Sequence, residues 1–267
     1  MEPRNWRLRF LCLVALACAM STPAQAGDTI DTDGPDFVDS SEAVGKDRFQ
    51  IEQEFVSERD RRNAVLRRTI STPTLMRYGI SETVELRLQG DTQVRETNNN
   101  GDIDTTVSGH GDLALGLKWH SQDRDQAKNT PAVSWILQLD TPSGSKEFRV
   151  PGLRPSLRSI ITWDLPHELS LGVMPGLAHD SRADGHRFTS AILGISLAKR
   201  LTERFRIFVE SSTSQLARAE NGGVISAWDI GTAYLLTDDW QLGGRFAVAA
   251  NRNSPSSALF VEIAGRF

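Results

Sequence analysis

Apolar residues recur at every second position along most of this chain, in stretches about ten residues long. "RFQIEQEFV" (48–56), "TVELRLQGDTQV" (83–94), "GDLALGLKWH" (111–120), "AVSWILQLD" (132–140), "LRSIITWD" (157–164) and "ELSLGVMPGLA" (168–178) all follow this rule. So do "TSAILGISLA" (189–198), "RFRIFVES" (204–211), "SAWDIGTAYLL" (226–236), "WQLGGRFAVAA" (240–250) and "SALFVEIAGRF" (257–267). A period of two with β-branched and aromatic enrichment predicts strands. "NAVLRRTISTPTLMRYG" (63–79) is less regular, because Pro73 bends or interrupts it, and counting it brings the expected strands to twelve.

The connections alternate in kind. "GISE" (79–82), "LPHE" (165–168), "LTER" (201–204) and "LTDDW" (236–240) read as tight turns, with the looser "SQDRDQAKNT" (121–130) in the same class. The intervening ones, 95–110, 141–155, 179–187, 214–223 and 251–257, are generally longer and rich in Asn, Gly, Ser and Asp. Short turns at one end and polar loops at the other match an up-and-down barrel in an outer membrane, as does an even strand count.

The two faces of each strand agree. Leu113, Leu115, Leu117 and Trp119 oppose Ala114, Gly116 and Lys118, and Phe205, Ile207 and Val209 oppose Arg206, Phe208 and Glu210. One face is aliphatic and the other is small or charged, as lipid and a lumen require. Trp119, Trp163, Trp228 and Trp240 lie near strand ends, where an aromatic girdle sits. A periplasmic sandwich predicts the same period, but fewer strands of this length and no alternation of turns and loops. The fold class expected is therefore all-β, a 12-stranded antiparallel up-and-down transmembrane β-barrel over residues 48–267.

Residues 1–26 differ in kind. Arg4, Arg7 and Arg9 precede the apolar "FLCLVALACAM", and "AQA" ends at Ala26, which predicts a signal peptide cleaved between Ala26 and Gly27. The apolar run is too short to span a bilayer, which takes about 20 residues. "ALAC" ending at Cys18 is only a loose lipoprotein match. Cys12 and Cys18 both lie in this segment, so no disulfide is expected in the mature protein. Removing the segment, with its net +2, takes the chain from −4 to −6. That mild, dispersed acidity argues against a nucleic-acid partner.

The blocks "DGPDFVDSSEAVGKDRFQIEQEF" (33–55), "TPTLMRYGISETVELRLQG" (72–90), "GHGDLALGLKW" (109–119), "WDLPHELSLGV" (163–173) and "YLLTDDWQLGGRF" (234–246) carry a family resemblance. Across essentially the whole mature chain, the sequence resembles the bacterial outer-membrane barrels labelled "putative MetA-pathway of phenol degradation". The resemblance implies an outer-membrane barrel that transports small solutes, aromatic compounds among them. It carries over no catalytic residue.

Alternation alone assigns a set of charges to the lumen: Glu52, Glu54, Glu85, Arg87, Lys118, Asp140, Arg158, Arg206, Glu210, Asp229, Arg245, Glu262 and Arg266. Their mixed sign fits either a cross-braced filling or a charge-lined route. The polar segment 27–47 lacks strand periodicity and precedes the first strand, so it is either a periplasmic tail or a plug of the lumen.

His179, Asp180, Asp184 and His186 cluster in "AHDSRADGH", with a solvated loop the simpler reading than a cation or acid/base site. No local Ser/His motif marks a nucleophile, although twelve-stranded membrane hydrolases exist. No enzyme activity, cofactor or metal is expected. The expected partners are outer-membrane lipid, the barrel-assembly machinery and a small solute, acting on a monomer. A structural or adhesive barrel without transport is the alternative. The terminal strand closes the barrel against "RFQIEQEFV", and Phe267 is the expected assembly signal.

Overall fold

A computed structural model describes residues 29–62, 65–101 and 103–267. The expected signal peptide and its cleavage point at Ala26 and Gly27 lie outside these. The strands are β1 (Phe49–Arg62), β2 (Val65–Gly79), β3 (Val84–Asn99), β4 (Asp104–Gly109), β5 (Leu113–Gln122), β6 (Ala132–Asp140) and β7 (Arg154–Leu165). They continue as β8 (Leu169–Ser181), β9 (Arg187–Thr202), β10 (Phe205–Leu216), β11 (Val224–Thr237), β12 (Trp240–Ala249) and β13 (Ser257–Arg266). Consecutive strands pair antiparallel, except that β3 pairs with both β4 and β5, and β1 closes on β13 from Gln50↔Arg266 to Arg59↔Ser257. The result is a closed barrel of twelve spans.

β4 and β5 are two parts of one span. β4 pairs with the far end of β3, from Val94↔Gly109 to Asn99↔Asp104, and β5 pairs with its near end, from Val84↔Trp119 to Gly90↔Leu113. The break falls at 110–112, where loop 141–153 captures the backbone. Ser145 N–H donates to His110 O at 3.0 Å, Leu113 N–H donates to Ser143 Oγ at 2.9 Å, and Val150 N–H donates to Asp112 Oδ2 at 3.0 Å. The stretch 95–110, expected as a loop, is thus largely a β-hairpin extending beyond the barrel. Its Asn and Gly composition resembles a loop, but its Thr and Val residues pair across it.

Pro73 does not interrupt β2. The β2–β3 register shifts between Ser71 and Pro73, and the Gln53 amide donates to the Pro73 carbonyl at 2.8 Å, so the residue that cannot donate sits at an irregularity in the ladder. At the turn end, His167 and Glu168 have φ of 65° and 59°, the two left-handed residues that a primed hairpin turn needs.

The outward faces form a continuous apolar belt. Leu115, Leu137, Leu177 and Ile230 are between 56% and 60% exposed. Leaving one such side chain in water forgoes about 1.5–3 kcal/mol, so a surface built of them belongs in hydrocarbon. Aromatic rings rim the turn end: Trp119 lies opposite Trp135, Phe205 opposite Tyr234 and Phe49 opposite Tyr78. Phe267 packs edge-on against Trp240, with ring centres 5.8 Å apart, and beside Phe49 at 6.4 Å. The belt makes a prediction: Val209→Arg, near mid-span, lowers stability by about 2–4 kcal/mol in denaturant titrations of the lipid-embedded barrel, whereas Val209→Leu changes it little.

Candidate functional site

The lumen holds residues 29–47. Both ends of this segment are fastened at the turn end of the barrel, where Ile30 N–H donates to Asp238 O at 2.6 Å and Asp47 N–H donates to Gly79 O at 2.9 Å. Between them the chain rises inside the barrel and returns. Val38 packs on Ile136, Ile160 and Met174, which are fully buried on the inner wall, with Phe37 alongside.

Two reciprocal sets of contacts hold the segment. Its acids meet cations of the wall. Asp33 bonds Arg87 and, at 2.9 Å, Lys118 Nζ, with Arg77 at 3.6 Å. Asp36 takes both arms of the Arg206 guanidinium at 2.7 and 3.0 Å, and Asp39 lies 3.1 Å from Arg158. Conversely, acids of the wall accept the segment's backbone N–H groups. Glu52 takes those of Asp33 and Gly34 at 2.9 and 3.1 Å, Glu210 takes those of Phe37 and Val38 at 2.8 and 2.9 Å, and Glu85 takes that of Val44 at 2.9 Å. These charges lie where β-strand alternation puts polar residues, and the segment satisfies them.

Glycines of the wall make room. A Cβ on Gly194 would lie 2.6 Å from Val38 Cγ2 and 3.0 Å from Phe37 Cδ1, and one on Gly243 would lie 2.6 Å from Pro35 Cδ. Beside the segment, toward β7–β11, a cavity of about 380 Å³ remains at the turn end, bordered by Asp36, Ser41, Thr162, Arg204 and Arg206.

Of the charges assigned inward by alternation, Glu52, Glu85, Arg87, Lys118, Arg158, Arg206 and Glu210 bond or pair with the segment, Arg266 donates to Thr29 O at 3.4 Å, and Glu54 and Glu262 lie against Gly34. Asp229 pairs with Arg245 at 3.2 Å and accepts from Ser212 at 2.7 Å. Arg266 pairs with Asp239 at 2.9 Å. Asp140 accepts from Gln138 at 3.4 Å, away from the segment. Glu54 and Glu262 face each other across the β1–β13 seam. The expected 179–187 loop is shorter: His179 and Asp180 belong to β8, paired with Thr189 and Phe188 of β9, and only 182–186 form an exposed turn, where Asp184 accepts the His186 N–H at 2.9 Å.

Alternation did not assign Arg77, yet it is fully buried and is the hub. Its Nε–H donates to Glu85 at 2.8 Å, and Nη1 donates to Glu52 at 2.9 Å and to Asp31 O at 3.0 Å. Nη2 donates to Glu42 O at 2.9 Å and to Glu85 at 3.0 Å, so all five guanidinium protons are used. The signal was present in "LMRYG", where outward Met76 and Tyr78 flank it, but Pro73 obscures the period.

His120 is the other residue missed. Its Nδ1 lies 2.7 Å from Ser41 O, and its Nε2 lies 2.8 Å from Asp123. Ser134, 3.2 Å from the ring, gives its own proton to Ser41 O, so this Ser–His–Asp group grips the segment and its hydroxyl is not held for attack.

A closed antiparallel barrel with an apolar outer belt and a charged interior is an outer-membrane β-barrel. Residues 32–264 match the family described as "Putative MetA-pathway of phenol degradation", and the chain belongs to that family. No curated protein matches it. Among solved structures, an outer membrane channel from Pseudomonas putida F1 is similar at 12% identity and TM-score 0.61, over 85% of this chain and 98% of that one. The β domain of the Bordetella autotransporter Brka is similar at 12% identity and TM-score 0.54, over 82% and 99%. The translocator domain of NalP from Neisseria meningitidis is similar at 10% and 0.51, over 98% and 95%. At such identities the likeness is one of fold.

Burial alone would raise the Asp33 carboxyl, but Arg77, Arg87 and Lys118 hold it well below the usual carboxylate range. Its contribution is therefore complete at neutral pH and is lost only as pH falls below about 3.9, the ordinary unfolded value. Asp33→Asn leaves those cations without their carboxylate and weakens seating of the segment by about 3–5 kcal/mol. Limited proteolysis of the folded barrel checks this, since residues 29–47 become cleavable in the variant at neutral pH.

Proposed function

We propose that this chain is a passive outer-membrane channel for small apolar solutes, aromatic compounds among them, and that residues 29–47 are its plug. The observation that carries the reading is how the segment is held. Its contacts with the wall are noncovalent, it is fastened only near its ends and through side chains, and it lies on the path between the two mouths of the lumen. Such a filling can move without breaking the barrel. A rigid structural barrel would gain more from apolar packing than from buried ion pairs.

The solute class is supported by the wall. Phe188, Phe208 and Phe260 are turned inward from β9, β10 and β13, and the Arg245 guanidinium stacks on Phe260 at 3.7 Å. Phe260, the half-buried ring of the three, offers a stacking surface to a neutral aromatic molecule once Arg245 parts from it. The family description points to phenolic compounds, and the similar Pseudomonas structure is described as a channel. The reading treats the protein as a binder and conduit with no chemistry of its own, and one barrel suffices for it.

Conductance in planar bilayers and swelling of loaded liposomes test the reading. The full chain should pass small, intermittent currents, and the chain lacking 29–44 should pass larger, sustained ones. Equal currents from the two would remove the plug. Absence of current and swelling from both would remove the channel and favour a structural barrel. The same reading gives Phe267 a part in assembly, through its packing at the β1–β13 seam. Phe267→Ala should lower the yield of heat-modifiable, folded barrel far more than substitutions in loop 182–186 do.

A further inference from the structure

Glu262 is 1% exposed, and neither carboxyl oxygen has a hydrogen-bonding partner among the described residues. On the inner face it stands directly opposite Glu54 in the β1–β13 ladder. Like charges so placed destabilise a sheet. Both side chains reach the same spot: a Cβ on Gly34 would lie 2.5 Å from Glu262 Oε1 and 3.1 Å from Glu54 Oε1. On the far side, a Cβ on Gly243 would lie 2.8 Å from Glu262 Oε2 and 2.6 Å from Pro35 Cδ. The Glu262 carboxyl is therefore enclosed between the Gly34–Pro35 turn of the segment and the barrel wall.

The nearby cations are committed elsewhere. The charged groups facing the pair are Glu52 on β1, Asp36 and Asp39 on the segment, Asp91 on β3, Arg206 on β10 and Arg245 on β12. Arg206 holds Asp36, Arg245 holds Asp229, and Arg266, on the same strand as Glu262, holds Asp239. Glu52 is spent on Arg77, Gln50 and the N–H groups of Asp33 and Gly34. The described residues contain no group of three or more side chains arranged to hold a metal ion. A buried carboxylate with neither a cation nor a donor is strongly disfavoured, and its neutral acid is not.

Resting on the plug reading above, we propose that Glu54 and Glu262 form a proton-binding site that seats the Gly34–Pro35 turn. With a proton held, neutral Glu262 lies under Pro35 and Gly34 without electrostatic penalty. When the proton leaves to solvent, two opposed carboxylates stand beneath the segment, next to Asp36, and their repulsion lifts it. Raising the pH therefore opens the channel. The seated-to-lifted ratio changes by up to about tenfold per pH unit over the range in which the single proton is lost.

The test uses the full chain, with heat-modifiable migration as the control for folding. Infrared spectra at neutral pH should contain the carbonyl stretch of a protonated carboxyl group that Glu262→Gln removes. In planar bilayers, wild-type conductance should rise with pH, Glu262→Gln should stay low throughout, and Glu54→Gln should blunt the rise by removing the opposing charge. A wild-type spectrum without that band, or one that Glu262→Gln leaves unchanged, overturns the proton site whatever the currents do. A band that Glu262→Gln removes, with currents flat across pH while the chain lacking 29–44 conducts freely, overturns the seating role and leaves the channel standing. If no form conducts or swells loaded liposomes at any pH, the channel reading fails and the seating role with it, while the spectra alone still decide the proton site.

Discussion

A backbone N–H or C=O left unpaired in hydrocarbon costs several kilocalories per mole, so a sheet that crosses a membrane must close on itself. In this protein the closing contact is the ladder between β1 and β13, which meets from Gln50↔Arg266 to Arg59↔Ser257. Closure fixes everything inside. Once the outward face is given to lipid, alternation sends each remaining side chain into a space only twelve strands wide. Charges excluded from lipid then lie within a few ångströms of one another and of whatever shares the lumen.

The segment 29–47 solves the resulting packing and charge problem together. Wall cations such as Lys118, Arg87 and Arg206 are matched by Asp33 and Asp36, and wall acids such as Glu52 and Glu210 are capped by peptide N–H groups. A network of this kind is specific, because each member is satisfied in only one arrangement, but it adds little net stability over apolar packing. The small apolar patch of Val38 on Ile136, Ile160 and Met174 adds contact area where the turn of the segment reaches deepest. Specific placement with modest net affinity suits the plug proposed for it, a part that would have to leave its seat.

Much of this was legible in the sequence, for a physical reason. A membrane strand is constrained on both faces, so its alternation persists through nearly every span, and "GDLALGLKWH" or "RFRIFVES" reads directly as one face for lipid and one for the lumen. The inward placement of Lys118 or Glu210 follows from counting by twos. What escaped depends on partners distant in sequence. Nothing local says that Asp33 will meet Lys118, 85 positions away, or that Asp36 will meet Arg206, 170 away. Arg77 was hidden because Pro73 breaks the visible period while leaving the strand intact. The 95–110 hairpin was hidden because, beyond the bilayer, both faces are wet and alternation loses its cause.

Gly79 is where the segment meets the barrel most closely. Its missing side chain admits the Gly45 carbonyl, which would lie 1.7 Å from a Cβ there, and its carbonyl receives the Asp47 N–H. The segment is therefore joined to β1 by a short, pinned leash only a few residues from the groups it binds. Through that leash it acts as an intramolecular ligand whose effective concentration is of order millimolar or more, whatever the amount of protein in the membrane. Recapture after any excursion is a first-order event set by the reach of the leash. In the channel proposed above, even a weakly held plug would spend most of its time at home, and a solute in transit would compete with a rival that cannot diffuse away.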